Sequence, residues 1–422
     1  MSAETDDDAA SLPIAGGLRS ALTDRNFVPF LAGNVLSNCG TWFQNIAQTL
    51  LVYRLTGSVF LVGIVNLAQF AGVFLVAPWA GVVADRFDRR RLLLGTQIFS
   101  SFVAAGLAAV SAAGAATVPV VVAVALTLGV AQAFTVPAML ALVPQLVGPH
   151  NLAAAVSLNI VTFNVARAVG PVLGALVVAT LGVSAAFAVN ATSFLALAIG
   201  VFFVRPLDAS AARSTEPPKL RRTVRDVLGR ADLLWVYLAA ACASVAIDPV
   251  TTLTPEYATK VFDGPDTLVG WFVGAFGVGA VLAGLWVSQR SMPSDRSLGA
   301  RCALLACSMW AFAATTWLAV ALAALVVAGF CFIALSAAGL ARVQGTTEAS
   351  SHGRLMALWS MAFMGARPIA ALTDGFLASM IGVRWATLMI AAPAALVGGV
   401  MLVGRVARDP APEAVVPLSP SS

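Results

Sequence analysis

Residues 60–91 read FLVGIVNLAQFAGVFLVAPWAGVVADRFDRRR. Positions 60–83 carry no charged side chain, and then Asp85, Arg86, Asp88, Arg89, Arg90 and Arg91 crowd together. A bilayer core about 30 Å thick takes about 20 apolar residues of helix to cross. The stretch therefore reads as one membrane-spanning helix that ends in a short, wet, basic loop.

The rest of the chain repeats the pattern. Of 422 residues, 59% are hydrophobic and 11% charged. Soluble globular chains carry roughly 25% charged residues, so a water-soluble fold could not cover itself here. Charge-poor apolar runs fall at 27–52, 60–83, 92–113, 118–143, 152–181, 185–204, 233–253, 268–288, 298–317, 319–340, 355–380 and 385–403. Twelve spans follow. The boundaries between third and fourth and between ninth and tenth are the least marked, because few polar residues separate them.

The basic residues set the topology. With the N-terminus inside, the inner segments hold Arg19, Arg25, Arg86, Arg89, Arg90, Arg91, Arg205, Arg213, Lys219, Arg221, Arg222, Arg225, Arg230, Arg290, Arg296, Arg301, Arg342, Arg354, Arg405 and Arg408, and the outer loops hold Arg54, Lys260 and Arg384. Cytoplasmic loops are enriched in Lys and Arg, so both termini are expected in the cytoplasm. Residues 1–26 form an N-terminal tail with Asp6, Asp7 and Asp8 where a signal peptide would be basic, so the first helix is expected to be retained. Residues 27–204 make a first six-helix unit, 205–232 an inner linker, 233–404 a second six-helix unit and 405–422 a C-terminal tail. The polar, proline-containing linker reads as flexible, with a short surface helix near 220–228. Leu61-Val62-Gly63 matches Leu268-Val269-Gly270, Ala80-Gly81 matches Ala283-Gly284, and Pro171 matches Pro368. The shared offset of about 200 residues is what a duplicated unit gives.

Soluble chemistry finds little support. Cys39, Cys242, Cys302, Cys307 and Cys331 lie in or beside apolar runs without a CxxC, and His150 and His352 are the only histidines. They read as small packing residues rather than a disulfide framework or metal site. No phosphate loop or Ser/His/Asp set is evident, which argues against an enzyme and against a resident cofactor. The basic pI arises in loops between spans and is a topology signal, not a nucleic-acid surface.

Two motifs carry more. Gly81, Asp85, Arg86, Arg89 and Arg90 stand in the loop between spans two and three. A small Gly81 permits close helix approach, and Asp85 is suited to the positive end of a helix dipole. In span five, Arg167 precedes Gly170-Pro171-Val-Leu-Gly174-Ala175, where small residues favour close packing and Pro171 a kink. The loop resembles the signature G-x-x-x-D-R-x-G-R-R of the major facilitator superfamily, with Asp88 in place of its usual glycine. The resemblance implies a cytoplasmic latch between Asp85 and the start of span eleven near 350–353, broken when the molecule opens inward. Span five resembles the superfamily's antiporter motif G-P-x-x-G-G, with Ala166 and Ala175 replacing two glycines. Generic packing would give the same composition; the resemblance implies a hinge at Gly170, Pro171 and Gly174.

The wider pattern is similar to the drug and siderophore exporter branch, including enterobactin-type exporters and macrolide efflux proteins. It is carried by Arg25-Asn26-Phe27, Val143-Pro144-Gln145-Leu146-Val147, Asn151-Leu152 with Asn159, and Gly353-Arg354-Leu355-Met356. It spans about residues 25–404.

Span one is unusually polar. At 100° per residue Asn34, Asn38, Thr41, Asn45 and Gln48 share one narrow stripe. Facing lipid they would be costly, so they either bond neighbouring helices or line a substrate path. Arg167, Asp248, Arg367 and Asp374 lie within spans, and Ser360, Arg367 and Asp374 repeat every seven residues. Intramembrane charges mark functional sites by default. Arg167, Ser360 and Arg367 are candidates to contact substrate, and Asp248 and Asp374 to carry a coupling proton; the alternative is that the charges only satisfy one another.

The expected fold is all-α and integral to the membrane: a major facilitator fold of about twelve helices in two six-helix bundles related by a pseudo-two-fold axis. The resemblance implies a monomeric secondary transporter in a bacterial cytoplasmic membrane. It would export an amphipathic drug, siderophore or secondary metabolite by alternating access with proton antiport. The alternatives are a metabolite importer and a receptor or assembly factor that keeps the fold without flux. The expected partners are the bilayer, a small molecule and the proton.

Overall fold

The computed structural model describes residues 18–148, 151–205, 230–287, 294–345 and 352–403. The linker and its expected surface helix, the far termini, and the side chains of Asp85, Arg167 and Ser360 lie outside the described set.

After one helical turn, Leu18–Ala21, come α1 (Phe27–Thr56), α2 (Val59–Arg86), α3 (Arg89–Ala112), α4 (Val118–Leu146), α5 (Leu152–Leu181) and α6 (Val183–Phe203). The second half has α7 over 231–261, α8 (Thr267–Val287), α9 (Asp295–Ala314), α10 (Leu318–Gly345), α11 over 352–381 and α12 (Val383–Val403). The fold is all-α and built to sit in a membrane. Nine of the helices among the described residues are long and apolar enough to cross a bilayer. The other three of the twelve expected spans differ for identifiable reasons. The amides of α1 dilute its hydropathy, α5 offers two shorter apolar stretches, Ala154–Phe163 and Val169–Leu181, and α11 is divided.

Two spans that read as continuous are broken. α7 consists of Ala231–Ala246, Pro249–Thr252, Thr254–Glu256 and a π-helical turn, Tyr257–Val261. α11 consists of His352–Gly365 and Arg367–Ile381, with Ala366 between them. Pro249, Pro255 and Pro368 each stand at the start of a segment, where a missing N–H costs nothing. The break falls between residue 360 and the pair Arg367 and Asp374, so the seven-residue repeat does not run along one continuous helix.

The corners repeat as the spans do. Gly182 ends α5 and Gly382 ends α11, both at φ 85°. That backbone region is open to glycine and strained for other residues.

In the first half α1 packs on α5 and α6, α2 on α4, and α3 on α4 and α6. In the second, α8 packs on α10, α9 on α10 and α12, and α7 on α12. The halves meet chiefly where α5 crosses α8 and where α2 crosses the second segment of α11. A Cβ at Gly270 would lie 2.4 Å from Ala175 Cβ, and one at Gly63 would lie 2.3 Å from the Ala371 carbonyl oxygen. The two matched Leu-Val-Gly sequences thus make equivalent contacts in the two halves. Both crossings lie toward the face of the α1–α2 and α7–α8 turns, away from the basic loops. There Arg54 pairs with Asp266 at 2.5 Å, and Tyr53 Oη lies 3.0 Å from Thr259 Oγ1. On the basic side, His352–Gly365 packs on α7 and α10 and α4 on α1, α2, α3 and α5, each within its own half. The molecule is closed on the turn side.

Candidate functional site

The basic loop is held by its own half. Asp88 has φ −59° and caps α3, its carboxylate accepting from the Arg91 N–H at 2.8 Å. The aspartate in place of glycine therefore makes a helix cap, since no positive φ is required there. Arg90 donates to the carbonyl oxygens of Val201 and Phe202 and lies 5.7 Å over the Phe202 ring. Arg89 reaches the Ala141 carbonyl at 3.5 Å. These guanidinium groups supply donors to carbonyls near the C-terminal ends of α6 and α4, where basic side chains complement the helix dipole. Arg86 is exposed. A Cβ at Gly81 would meet nothing within 4 Å, so the close approach expected there is not made in this arrangement.

The hinge motif sits where α5 crosses α1. Cβ atoms at Gly170 and Gly174 would stand 2.7 Å from Trp42 Cβ and 2.9 Å from Phe43 Cα. The Pro171 carbonyl meets α8, 2.7 Å from a Cβ at Gly270. One short stretch of α5 thus touches α1 within its half and α8 across the halves.

The polar stripe of α1 divides into two kinds of residue. Asn34 is buried and donates to Asn159 on α5 at 2.6 Å. Gln48 is buried and accepts from Gln44 at 2.6 Å; Gln44 in turn accepts from Asn190 on α6 at 2.5 Å. Asn38 donates back to Asn34 at 2.8 and 3.0 Å, and Thr41 to the Ser37 carbonyl at 2.9 Å. Asn45 faces Gln69 of α2 at 3.5 Å. The two ends of the stripe are satisfied between helices, while Asn38, Thr41 and Asn45 stay half-buried.

The charges gather in the second half. Asp248 stands at the break of α7, and Arg367 and Asp374 on the second segment of α11. Asp248 and Asp374 are buried, 1% and 0% exposed. Arg367 Nε lies 3.8 Å from Asp248 Oδ1, and Thr252 Oγ1 donates to Asp248 Oδ2 at 2.9 Å. Asp374 stands near enough to Asp248 for the two carboxyl groups to influence each other electrostatically. Among the described residues no donor reaches either Asp374 oxygen. A proton between the two would supply that donor and remove one of two adjacent like charges.

The first half reaches this cluster through α2. Asn66 Nδ2 donates to Thr252 Oγ1 at 3.1 Å, and the Arg367 guanidinium lies 5.3 Å over the Phe70 ring. Asn66, Phe70 and Thr252 were not among the residues singled out from sequence. A signal was available for Asn66, one of only two amides in the apolar run 60–83.

Residues 19–418 match the transmembrane secretion effector family. The chain is 24% identical over 399 residues to the MFS-type transporter YfiS of Bacillus subtilis (strain 168), covering 90% of this chain and 93% of that one. It is 24% identical to the staphyloferrin A transporter of Staphylococcus aureus (strain NCTC 8325 / PS 47), over 61% of this chain and 65% of that relative's length. It is 22% identical to macrolide efflux protein A of Streptococcus pyogenes, again over 61% and 65%. A bacterial homologue of the human lysosomal transporter Spinster, solved inward-facing and occupied, superposes with TM-score 0.73 at 12% identity, covering 95% of this chain and all of that one.

Proposed function

The chain belongs to the transmembrane secretion effector family of major facilitator transporters, and on that premise we propose that it exports an amphipathic small molecule in exchange for protons. It is a multi-pass membrane transporter and not an enzyme. The relatives include a siderophore transporter and a macrolide efflux protein, which favours a drug, siderophore or secondary metabolite as cargo. The positive-inside bias supports a cytoplasmic basic face and cytoplasmic termini. On that orientation the closed turn face is the outer gate, and cargo enters from the cytoplasm between the halves. Asn38, Thr41 and Asn45 offer it hydrogen bonds from α1. Rocking of the halves about the α5–α8 and α2–α11 crossings then exposes it outside.

One observation carries the proton coupling: Asp248 and Asp374 are buried, with a half-buried Arg367 beside Asp248, where both broken helices meet α2. Charges within a membrane are costly, and they persist where they bind or move something. Here two carboxyl groups stand with one arginine, Arg367 facing Asp248, which leaves one site for a proton. Loading that site neutralises the cluster, and emptying it restores the charge.

The test is flux in liposomes holding a pH-sensitive dye. An imposed proton gradient and a panel of lipophilic cations, macrolides and siderophores should give a compound-dependent proton flux. Asp248→Asn or Asp374→Asn should abolish it. Compound movement without proton movement would sink the antiport reading. Proton flux that survives both substitutions would remove the two aspartates from the mechanism.

A further inference from the structure

We propose that Asn66 and Thr252 are positioning residues that hold the outer gate shut while Asp248 is ionised. This rests on the proton-coupled reading above and names how the acid cluster would govern the gate.

The polarity of the bond chain is the argument. Thr252 has one hydroxyl proton, and it goes to Asp248 Oδ2 at 2.9 Å. A lone pair is then left for Asn66 Nδ2 at 3.1 Å. The chain runs amide N–H to hydroxyl to carboxylate, and the acceptor at its end fixes the direction of every bond. Asn66 is on α2 in the first half; Thr252 and Asp248 are on α7 in the second. Asp248 and Thr252 are buried, 1% and 0% exposed, so water does not compete for these groups. A hydrogen bond to an ionised acceptor is roughly twice as strong as a neutral one.

A second thread runs beside the first. Phe70, one helical turn beyond Asn66, lies 5.3 Å from the Arg367 guanidinium, and Arg367 faces Asp248 at 3.8 Å. Both threads tie the same face of α2 to the same carboxylate. That face also bears Gly63, packed against Ala371.

The charged and titratable groups around Asp248 are few. α11 supplies Arg367 and Asp374. α2 turns Asn66 and Phe70 toward the cluster, and α8 contains no titratable residue. Farther along α7, Tyr257 is bonded to Thr387 and Glu256 is paired with Lys260. Neutralising Asp248 therefore weakens both threads at once, with no carboxylate on residues 59–84 of α2 or on α8 to replace it. The consequence for antiport is that an empty, deprotonated carrier stays closed outside until cargo disturbs the cluster.

The experiment measures distance across the outer face by pulsed electron paramagnetic resonance. Spin labels go at the exposed Leu181→Cys and Trp385→Cys positions, in a background with the five native cysteines replaced. The full chain is held in lipid nanodiscs and read in alkaline and acid buffer. Wild type should show one short distance in alkali and a second, longer one in acid. Asn66→Leu and Thr252→Val should show the longer distance even in alkali, a shift of about tenfold in the closed-to-open ratio, the order of one lost hydrogen bond to a charged group. Thr252→Ser keeps the hydroxyl and should restore the short distance, which a loss of folding would not allow. Asp248→Asn should be long in both buffers. If Asn66→Leu and Thr252→Val retain the wild-type profile, the gate is not held through them and this inference fails alone. A wild-type distance indifferent to pH would overturn the proton-coupled reading with it.

Discussion

Arg90 shows how much one side chain can hold in place. Its guanidinium serves two carbonyls at the end of α6 and rests over the Phe202 ring. Arg90→Gln should lower stability by about 1–2 kcal/mol, read as an earlier loss of monodisperse protein in a heated chromatography series. A melting curve unchanged from wild type would show that the arginine serves topology alone. The loop was legible as a wet basic turn because its charges are adjacent in sequence. The partners of Arg89 and Arg90 were not, because backbone carbonyls at helix ends leave no trace in residue identity. Asp248 and Asp374 were legible as costly charges. Their meeting was not, since it depends on two helix breaks, and neither was Asn66, a single amide whose partner lies 186 residues away.

At the level of elements, the corners constrain more than the spans. Gly182 and Gly382 hold φ near 85° at equivalent turns. Gly182→Ala and Gly382→Ala should each cost about 1–3 kcal/mol, with similar losses at the two corners, measured by thermal unfolding in detergent. A loss at one corner only would mean that the two turns are not mechanically equivalent. The long spans were readable because about 20 apolar residues are needed whatever the fold. The interruptions in α7 and α11 were harder to read. A proline in a membrane helix is compatible with a kink, a break or a new start, and the choice depends on which neighbours accept the freed carbonyls.

The whole molecule is a balance between two halves that touch along two helix crossings. Arg54 and Asp266 add a pair at the closed face, with side chains 42% and 26% exposed. Such a pair is worth up to about 1 kcal/mol, enough to shift a balanced equilibrium but not to fix it. Arg54→Glu should lengthen the labelled distance across that face, and combining it with Asp266→Arg should shorten it again. An unchanged distance in the single variant would mean the pair is incidental. The twofold plan was visible in matched Leu-Val-Gly sequences, and the structure adds that both copies press against the other half. The polarity of α1 bears on how the chain is made. Its buried amides find their partners on α5 and α6, at Asn159 and Asn190, 125 and 146 residues farther along the chain. A segment with so many amides is a poor client for the insertion machinery on its own. During synthesis, then, α1 should settle in the bilayer only once α5 and α6, which follow it out of the ribosome, have arrived to partner it.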